Sequence, residues 1–296
     1  MDREGQTTTT RTPLVEQLAS VGLWTRQLDI QPTNQLRETI ADLEELGWRS
    51  LWTWEVFGRE ALTNAGLLLC ASRQLVIGTG IANIWARDPV AMAAAQRTLA
   101  TGSRAQMDAR GHRYERPLDR MRGYLDAMDA APWQGPPLPE QPPRVLAALG
   151  PRMLELAAER SAGALTYHST PEATAWARSI LGGGSLLAVE QAVLLEEDAS
   201  EARRIGREYI AFYLTLPNYV RAWERAGFAP EDLAAGGSDR LVDAMVAWGS
   251  PEAISERVDA HLDAGADHVC LHALDADPNA LPVGAWRTLA PALHGR

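Results

Sequence analysis

The sequence contains no lysine, so every side chain among its 28 Lys-plus-Arg positions is an arginine. A Schiff-base lysine and the phosphate-gripping lysine of a P-loop are therefore excluded. Any anion must be held by arginine, hydroxyls or backbone N–H groups. Cysteine is almost as scarce. Cys70 and Cys270 both lie in apolar runs, one in a predicted helix and one in a predicted strand. Two such residues cannot build a disulfide framework or a cysteine metal site, and they read as reduced, buried thiols of a cytoplasmic chain. No run approaches the ~18 consecutive apolar residues needed to cross a bilayer. The opening MDREGQTTTT has no export pattern, and residues 1–20 are predicted to be a flexible tail. Positive charge is in deficit, with a formal net charge of −10, which argues against binding a nucleic-acid backbone.

What is present is a repeated phrase: an amphipathic helix, a glycine, then a short apolar strand. LRETIADLEELGWRSLWTW, RMLELAAERSAGALTYH and SERVDAHLDAGADHVCLHAL are three copies. In the first, Leu36, Ile40, Leu43 and Leu46 fall at helical spacing, and Gly47 stands where a left-handed residue ends a helix. The third opens with Ser250 as N-cap, Pro251 at the first helical position and Glu252 in the first turn. Repeated helix–strand units imply parallel strands, because each return crosses over through a helix. A barrel of this type takes roughly 250 residues, which one domain over residues 21–296 provides.

Seven strands are predicted, at 21–25, 50–54, 74–80, 144–150, 163–168, 185–195 and 268–274. A closed (β/α)8 barrel requires eight. The gap falls between Ala100 and Tyr114, where TGSRAQMDARGHR has no apolar run, so residues 101–113 are predicted to hold no inward-packed strand. PWQGPPLPEQPP (132–143) reads as a surface connector. Residues 199–249 read as a helical insertion beside the barrel mouth, a usual place for a lid.

Several positions could carry chemistry. In ALGPRMLE (148–155), Gly150 ends a strand and Pro151 starts a helix, so the following N–H groups can face an anion at the mouth. Arg152 is unfavourable against the helix dipole unless an anion is near. In TYHSTPE (166–172), Ser169 and Thr170 add donors, with His168 beside them. A plain capped helix with a solvated arginine is the alternative. Trp24, ending the first strand, should face the mouth, either against a ring ligand or in the core. His268, Cys270 and His272 alternate along one strand but would span about 13 Å, too far for one metal ion. His272, nearest the strand's C-terminal end, is a candidate pocket residue.

VIGTGIANIWARDPVAMAAAQRTLA, GHRYERPLDRMRGYLDAM and ALGPRMLELAAERSAGALTYHSTPE, in that order, resemble the coenzyme F420-dependent branch of the luciferase-like monooxygenase superfamily. The resemblance spans roughly 21–294. It implies a (β/α)8 barrel, a deazaflavin in the C-terminal mouth, hydride transfer with a small-molecule substrate, and commonly a homodimer. Relatives that use FMN share the outline, so FMN is the alternative cofactor and a flavin monooxygenase the alternative activity. A non-catalytic barrel acting as a binding subunit is a third reading. The resemblance further implies a non-prolyl cis peptide near Gly80–Ile81, with Asn83 at the polar edge of the ring and Ala82 among the cofactor-binding residues. It places the cofactor phosphate on the two loops bearing Gly150–Arg152 and His168–Thr170. It makes Glu55 a candidate general acid, its pKa raised by Trp52 and Trp54, against a carboxylate paired with Arg59. Trp54 and His112 become substrate-side candidates, with His112 equally open to capping a helix. The sequence departs from the pattern in one place: the usual fourth strand and glycine-rich loop are replaced by TGSRAQMDAR.

Overall fold

A computed structural model describes residues 11–55, 58–100, 117–138 and 140–294. Its framework is an eight-stranded, wholly parallel sheet: β1 (Val21–Trp24), β2 (Ser50–Trp52), β3 (Val76–Gly78), β4 (Val145–Ala147), β5 (Gly163–Thr166), β6 (Leu186–Leu194), β7 (Val246–Trp248) and β8 (His268–Ala273). The order is β3-β2-β1-β8-β6-β5-β4, with β7 beside the end of β6. β6 is the longest strand because β8 pairs along one side of it while β5 and β7 share the other. β5 takes Leu186–Val189 and β7 takes Ala192–Leu194. Around the curled sheet run α2 (Thr33–Glu45), α3 (Ala61–Ala71), α4 (Pro89–Ala100), α5 (Pro117–Asp129), α6 (Pro151–Arg160), α7 (Pro171–Leu181), α11 (Pro251–Asp263) and α12 (Val283–Leu293). This is the TIM-type (β/α) architecture, with β3 and β4 not paired to each other among the described residues. The expectation of no strand within 101–113 lies outside those residues.

Strand alternation sorts the core into two layers. Leu23, Leu51, Leu187, Val189, Val269 and Leu271 face outward onto Leu36, Ile40, Leu43, Leu154, Ile254 and Trp286 of the helices. Trp24, Trp52, Leu165, Tyr167, Ala188, Ala192 and Cys270 face inward and share a cluster with Ile205, Ile210, Tyr213 and Trp223. Those last four belong to α8 (Ala199–Ala211), a 3-10 turn (Tyr213–Thr215) and α9 (Pro217–Arg225). The 199–249 segment thus closes over the barrel interior.

Local signals in the helices hold. Leu36, Ile40 and Leu43 are buried, Gly47 has φ +87°, and the Ser250 hydroxyl accepts the Ala253 N–H at 3.4 Å. Three expectations need correction. Residues Arg11–Leu18, read as tail, form helix α1, and the Leu18 carbonyl accepts the Ser50 hydroxyl at 2.8 Å. The 199–249 segment is not purely helical, since α10 (Asp239–Met245) runs directly into strand β7. Cys70 is exposed rather than buried, on the outer side of α3, whereas Cys270 is buried inside the barrel.

Candidate active site

The C-terminal strand ends converge on a set of residues whose spacing the backbone dictates. Trp24 ends β1, is buried, and lies 5.3 Å from the Tyr167 ring, centroid to centroid. Gly80, two residues beyond β3, has φ +30°; a Cβ there would stand 2.3 Å from the Trp24 ring and 2.6 Å from the Thr53 carbonyl oxygen. Only glycine fits, so this loop is drawn tightly against the strand ends.

The loop is then fixed by Glu55. Its Oε2 accepts the Asn83 N–H at 2.7 Å, and its Oε1 accepts from the buried Arg87 guanidinium. Arg87 also donates to Glu60 at 2.5 Å and to the Asn83 carbonyl at 3.2 Å. Arg59, the partner anticipated for Glu55, donates instead to the carbonyls of Asp29 (3.2 Å) and Gln31 (2.6 Å). The Asn83 amide oxygen is engaged as well, closing a turn with the Trp85 N–H at 2.9 Å. Ile81 and Ala82 are half-buried behind this turn, and Trp54 is half-buried against the interior cluster.

On the opposite side, Gly150 caps α6 and its carbonyl takes the N–H groups of Met153 and Leu154, each at 3.1 Å. Pro151 occupies the first helical turn, as expected. Arg152 is exposed, and among the described residues no hydrogen bond joins it to Ser169 or Thr170. A cavity of about 190 Å³ opens beside that loop, lined by Tyr167, His168, Ser169, Thr170, Trp176 and Arg225 among others. Thr170 caps α7, accepting the Ala173 N–H at 3.2 Å. The cation at this cleft is Arg225, at the end of α9. Its guanidinium donates to the Leu149 carbonyl and lies 4.5 Å over the Trp176 ring. Nothing local in PNYVRAWER marks Arg225, because its place depends on α9 folding back across β4 and β5.

His168 is 4% exposed and holds a left-handed backbone, φ +53°. Burial pushes its imidazole down to about 4, so the ring is neutral at pH 7. Its carbonyl accepts the Trp223 indole N–H at 3.2 Å, yet neither ring nitrogen has a partner among the described residues. It shares this state with Trp24 Nε1, Thr53 Oγ1 and Thr166 Oγ1, all buried and unpartnered. These five atoms lie at the C-terminal ends of β1, β2 and β5. His272, near the end of β8, is buried inside the barrel and does not line the cavity. His112 lies outside the described residues.

The architecture defines a TIM-type barrel, and several unsatisfied polar groups lie at its strand C-termini, the end that carries the site in enzymes of this fold. A sequence model of the luciferase-like monooxygenase family matches residues 17–268. The chain therefore belongs to that family, a family of oxidoreductases. Among solved structures, it is similar to the coenzyme F420-dependent tetrahydromethanopterin reductase of Methanopyrus kandleri, with 17% identity, TM-score 0.70, and coverage of 93% of this chain and 98% of that one. An F420-dependent secondary alcohol dehydrogenase in complex with an F420–acetone adduct follows at 15% identity and TM-score 0.69, covering 93% and 99%. The oxygenating constituent of 3,6-diketocamphane monooxygenase from Pseudomonas putida, in complex with FMN, gives 16% identity and TM-score 0.60, covering 92% and 96%. No curated protein sequence matches the chain.

Proposed function

We propose that the protein is an F420-dependent oxidoreductase that moves a hydride between the deazaflavin and a small organic substrate. The observation that carries this reading is the set of orphaned polar atoms on Trp24, Thr53, Thr166 and His168. A buried polar group without a partner costs about 1–3 kcal/mol, so the three on Thr166 and His168, which line one cavity, favour a ligand that supplies donors and acceptors. The pyrimidine edge and hydroxylated chain of a deazaflavin offer both. The bound ring would supply the hydride chemistry, and the chain's own residues would hold and orient it. Trp24 and the Gly80–Asn83 loop, packed against each other, would form one wall for the ring, while Ser169, Thr170 and Arg225 would hold its phosphate end. Glu55, with both oxygens occupied, keeps that loop in place rather than handing on a proton. F420 is preferred to FMN because the two F420-dependent structures superpose more closely than the FMN-bound one.

Fluorescence titration of the full chain with F420 and with FMN tests this. Tight F420 binding and weak FMN binding are expected. The reverse result would make the protein a flavin enzyme, and binding of neither would make it a non-catalytic barrel.

The same titration locates the phosphate. Arg225→Ala and Ser169→Ala should each weaken cofactor binding by about 1–3 kcal/mol, the range for charge-assisted hydrogen bonds. Arg152→Ala should leave the dissociation constant unchanged. A loss with Arg152→Ala and none with Arg225→Ala would move the anion to the start of α6.

A further inference from the structure

The barrel interior holds a polar cluster that the cofactor contacts do not use. Glu190 on β6 and His272 on β8 face the same space, because Ala192 pairs with His272 and Glu190 is two residues back on the same face. Their side chains are 1% and 2% exposed, and Glu190 Oε1 is 3.3 Å from His272 Nδ1. The Tyr209 hydroxyl, entering from α8, lies 3.1 Å from each of them. It is also 3.0 Å from the Tyr167 hydroxyl, which receives a further bond from Tyr213 at 3.3 Å. Tyr167 then lines the cavity and packs against Trp24. The Tyr167 hydroxyl also lies 3.4 Å from His272 Nδ1, so hydroxyls, imidazole and carboxylate form one connected cluster whose outermost residue, Tyr167, lines the cavity.

Charge decides what this cluster can do. No arginine hydrogen-bonds to Glu190 among the described residues; its other contact is a long bond, 3.4 Å, from the His168 N–H. A carboxylate this deep is tolerated only if its charge is shared, and His272 is the one base in contact with it. The remaining groups facing the pair are hydroxyls, a thiol and one further imidazole. Burial drives the Tyr167 and Tyr209 hydroxyls and the Cys270 thiol upward, pushes Tyr213 up to about 12, and leaves His168 neutral.

The geometry points to a proton relay, from the Glu190–His272 pair through Tyr209 to Tyr167, that serves a carbonyl or alcohol substrate at the mouth. The inference rests on the hydride-transfer reading above. When a carbonyl carbon receives a hydride from the bound reduced deazaflavin, its oxygen takes the Tyr167 phenolic proton, and the carbonyl becomes an alcohol. Tyr167 takes the proton of Tyr209, Tyr209 takes that of the pair, and solvent restores the pair. The reverse sequence accompanies alcohol oxidation. Tyr167 is then the group that touches substrate; Tyr209, His272 and Glu190 are positioning residues. The relay supplies the acid that the occupied Glu55 cannot.

The test needs no cofactor. Infrared difference spectra of the full chain with ¹³C-labelled cyclohexanone should show the carbonyl band moved to lower frequency in the wild type. In Tyr167→Phe the band should stay at its unbonded position, with probe affinity within threefold. The Glu190 carboxyl band, identified by its loss in Glu190→Gln, should shift when the ketone binds. That response should shrink in Tyr209→Phe, where the ketone still meets Tyr167 and only the longer Tyr167–His272 contact of 3.4 Å leads on to Glu190. If Glu190→Gln does not fold, ¹³C-glutamate labelling with deuterium exchange identifies the same buried band. A carbonyl shift that survives Tyr167→Phe, or is missing from the wild type, overturns the relay. So does a Glu190 band indifferent to the ketone in the wild type. Failure to bind F420 would instead sink the proposed function while leaving these spectra to decide the relay.

Discussion

Arg87→Ala is expected to lower the unfolding free energy by about 3–5 kcal/mol, the cost of breaking a buried ion pair from one side. Arg87 is buried, and its guanidinium serves Glu55, Glu60 and the Asn83 carbonyl together. Both carboxylates are themselves largely shielded from solvent. Removing the cation leaves two negative charges side by side, one after β2 and the other capping α3 through the Leu62 and Thr63 N–H groups. The hydroxyl of Tyr124, bonded to the Arg87 carbonyl at 2.8 Å, anchors the backbone and prevents the segment from simply swinging outward. Urea unfolding at pH 7 would measure the effect. A loss below about 1 kcal/mol, the usual worth of an exposed pair, would show that water replaces the guanidinium without difficulty.

The second large effect is acid lability with a defined window. Burial lowers His168, His261 and His268 from 6.5 to about 4. His268 shows the structural reason. Its Nδ1 donates to the Ala19 carbonyl at 2.7 Å, and its Nε2 accepts the Trp52 indole N–H at 3.0 Å. A second ring proton would confront that indole donor. The unfolded chain takes up protons near 6.5 while the folded chain resists until about 4. The stabilisation is therefore complete above pH 6.5 and is lost as pH falls towards 4. Each histidine contributes about 3 kcal/mol over that window.

Asp29 works in the opposite direction. Burial raises it from 3.8 to about 7, against the pull of Arg59 and the Asn64 hydrogen bond, so the folded chain holds its proton where the unfolded chain does not. Its contribution offsets roughly one histidine, leaving a net fall of about 6 kcal/mol between pH 7 and pH 4. Unfolding free energies from urea titrations across that range would give the curve. A flat profile would mean that the three imidazoles are hydrated in the folded protein.

The repeated helix–glycine–strand phrase was enough to establish a parallel barrel, because side-chain periodicity and caps are properties of adjacent residues. Leu36, Ile40 and Leu43 define a helix face wherever that helix is placed, and Gly47 and Ser250 end or start helices by their own backbone chemistry. The interest of the Gly80 loop came from the family resemblance, while Ser169 and Thr170 stood out by their hydroxyls before a helix-starting proline. β7 was not: three residues carry no measurable period, and Val246–Trp248 becomes a strand only because the far half of β6 offers it an edge. Nor could local pattern pair Glu55 with Arg87 rather than Arg59, or bring Arg225 to a cleft made by β4 and β5. Glu190 lies in an apolar run and was passed over; it matters only because strand pairing sets it beside His272 and helix α8 delivers Tyr209 between them. Sequence determined most of the elements and their parallel order. Tertiary structure alone decided which charges meet and which polar atoms are buried without a partner, because such contacts join residues far apart in the chain, 216 positions for Trp52 and His268 and 249 for Ala19 and His268.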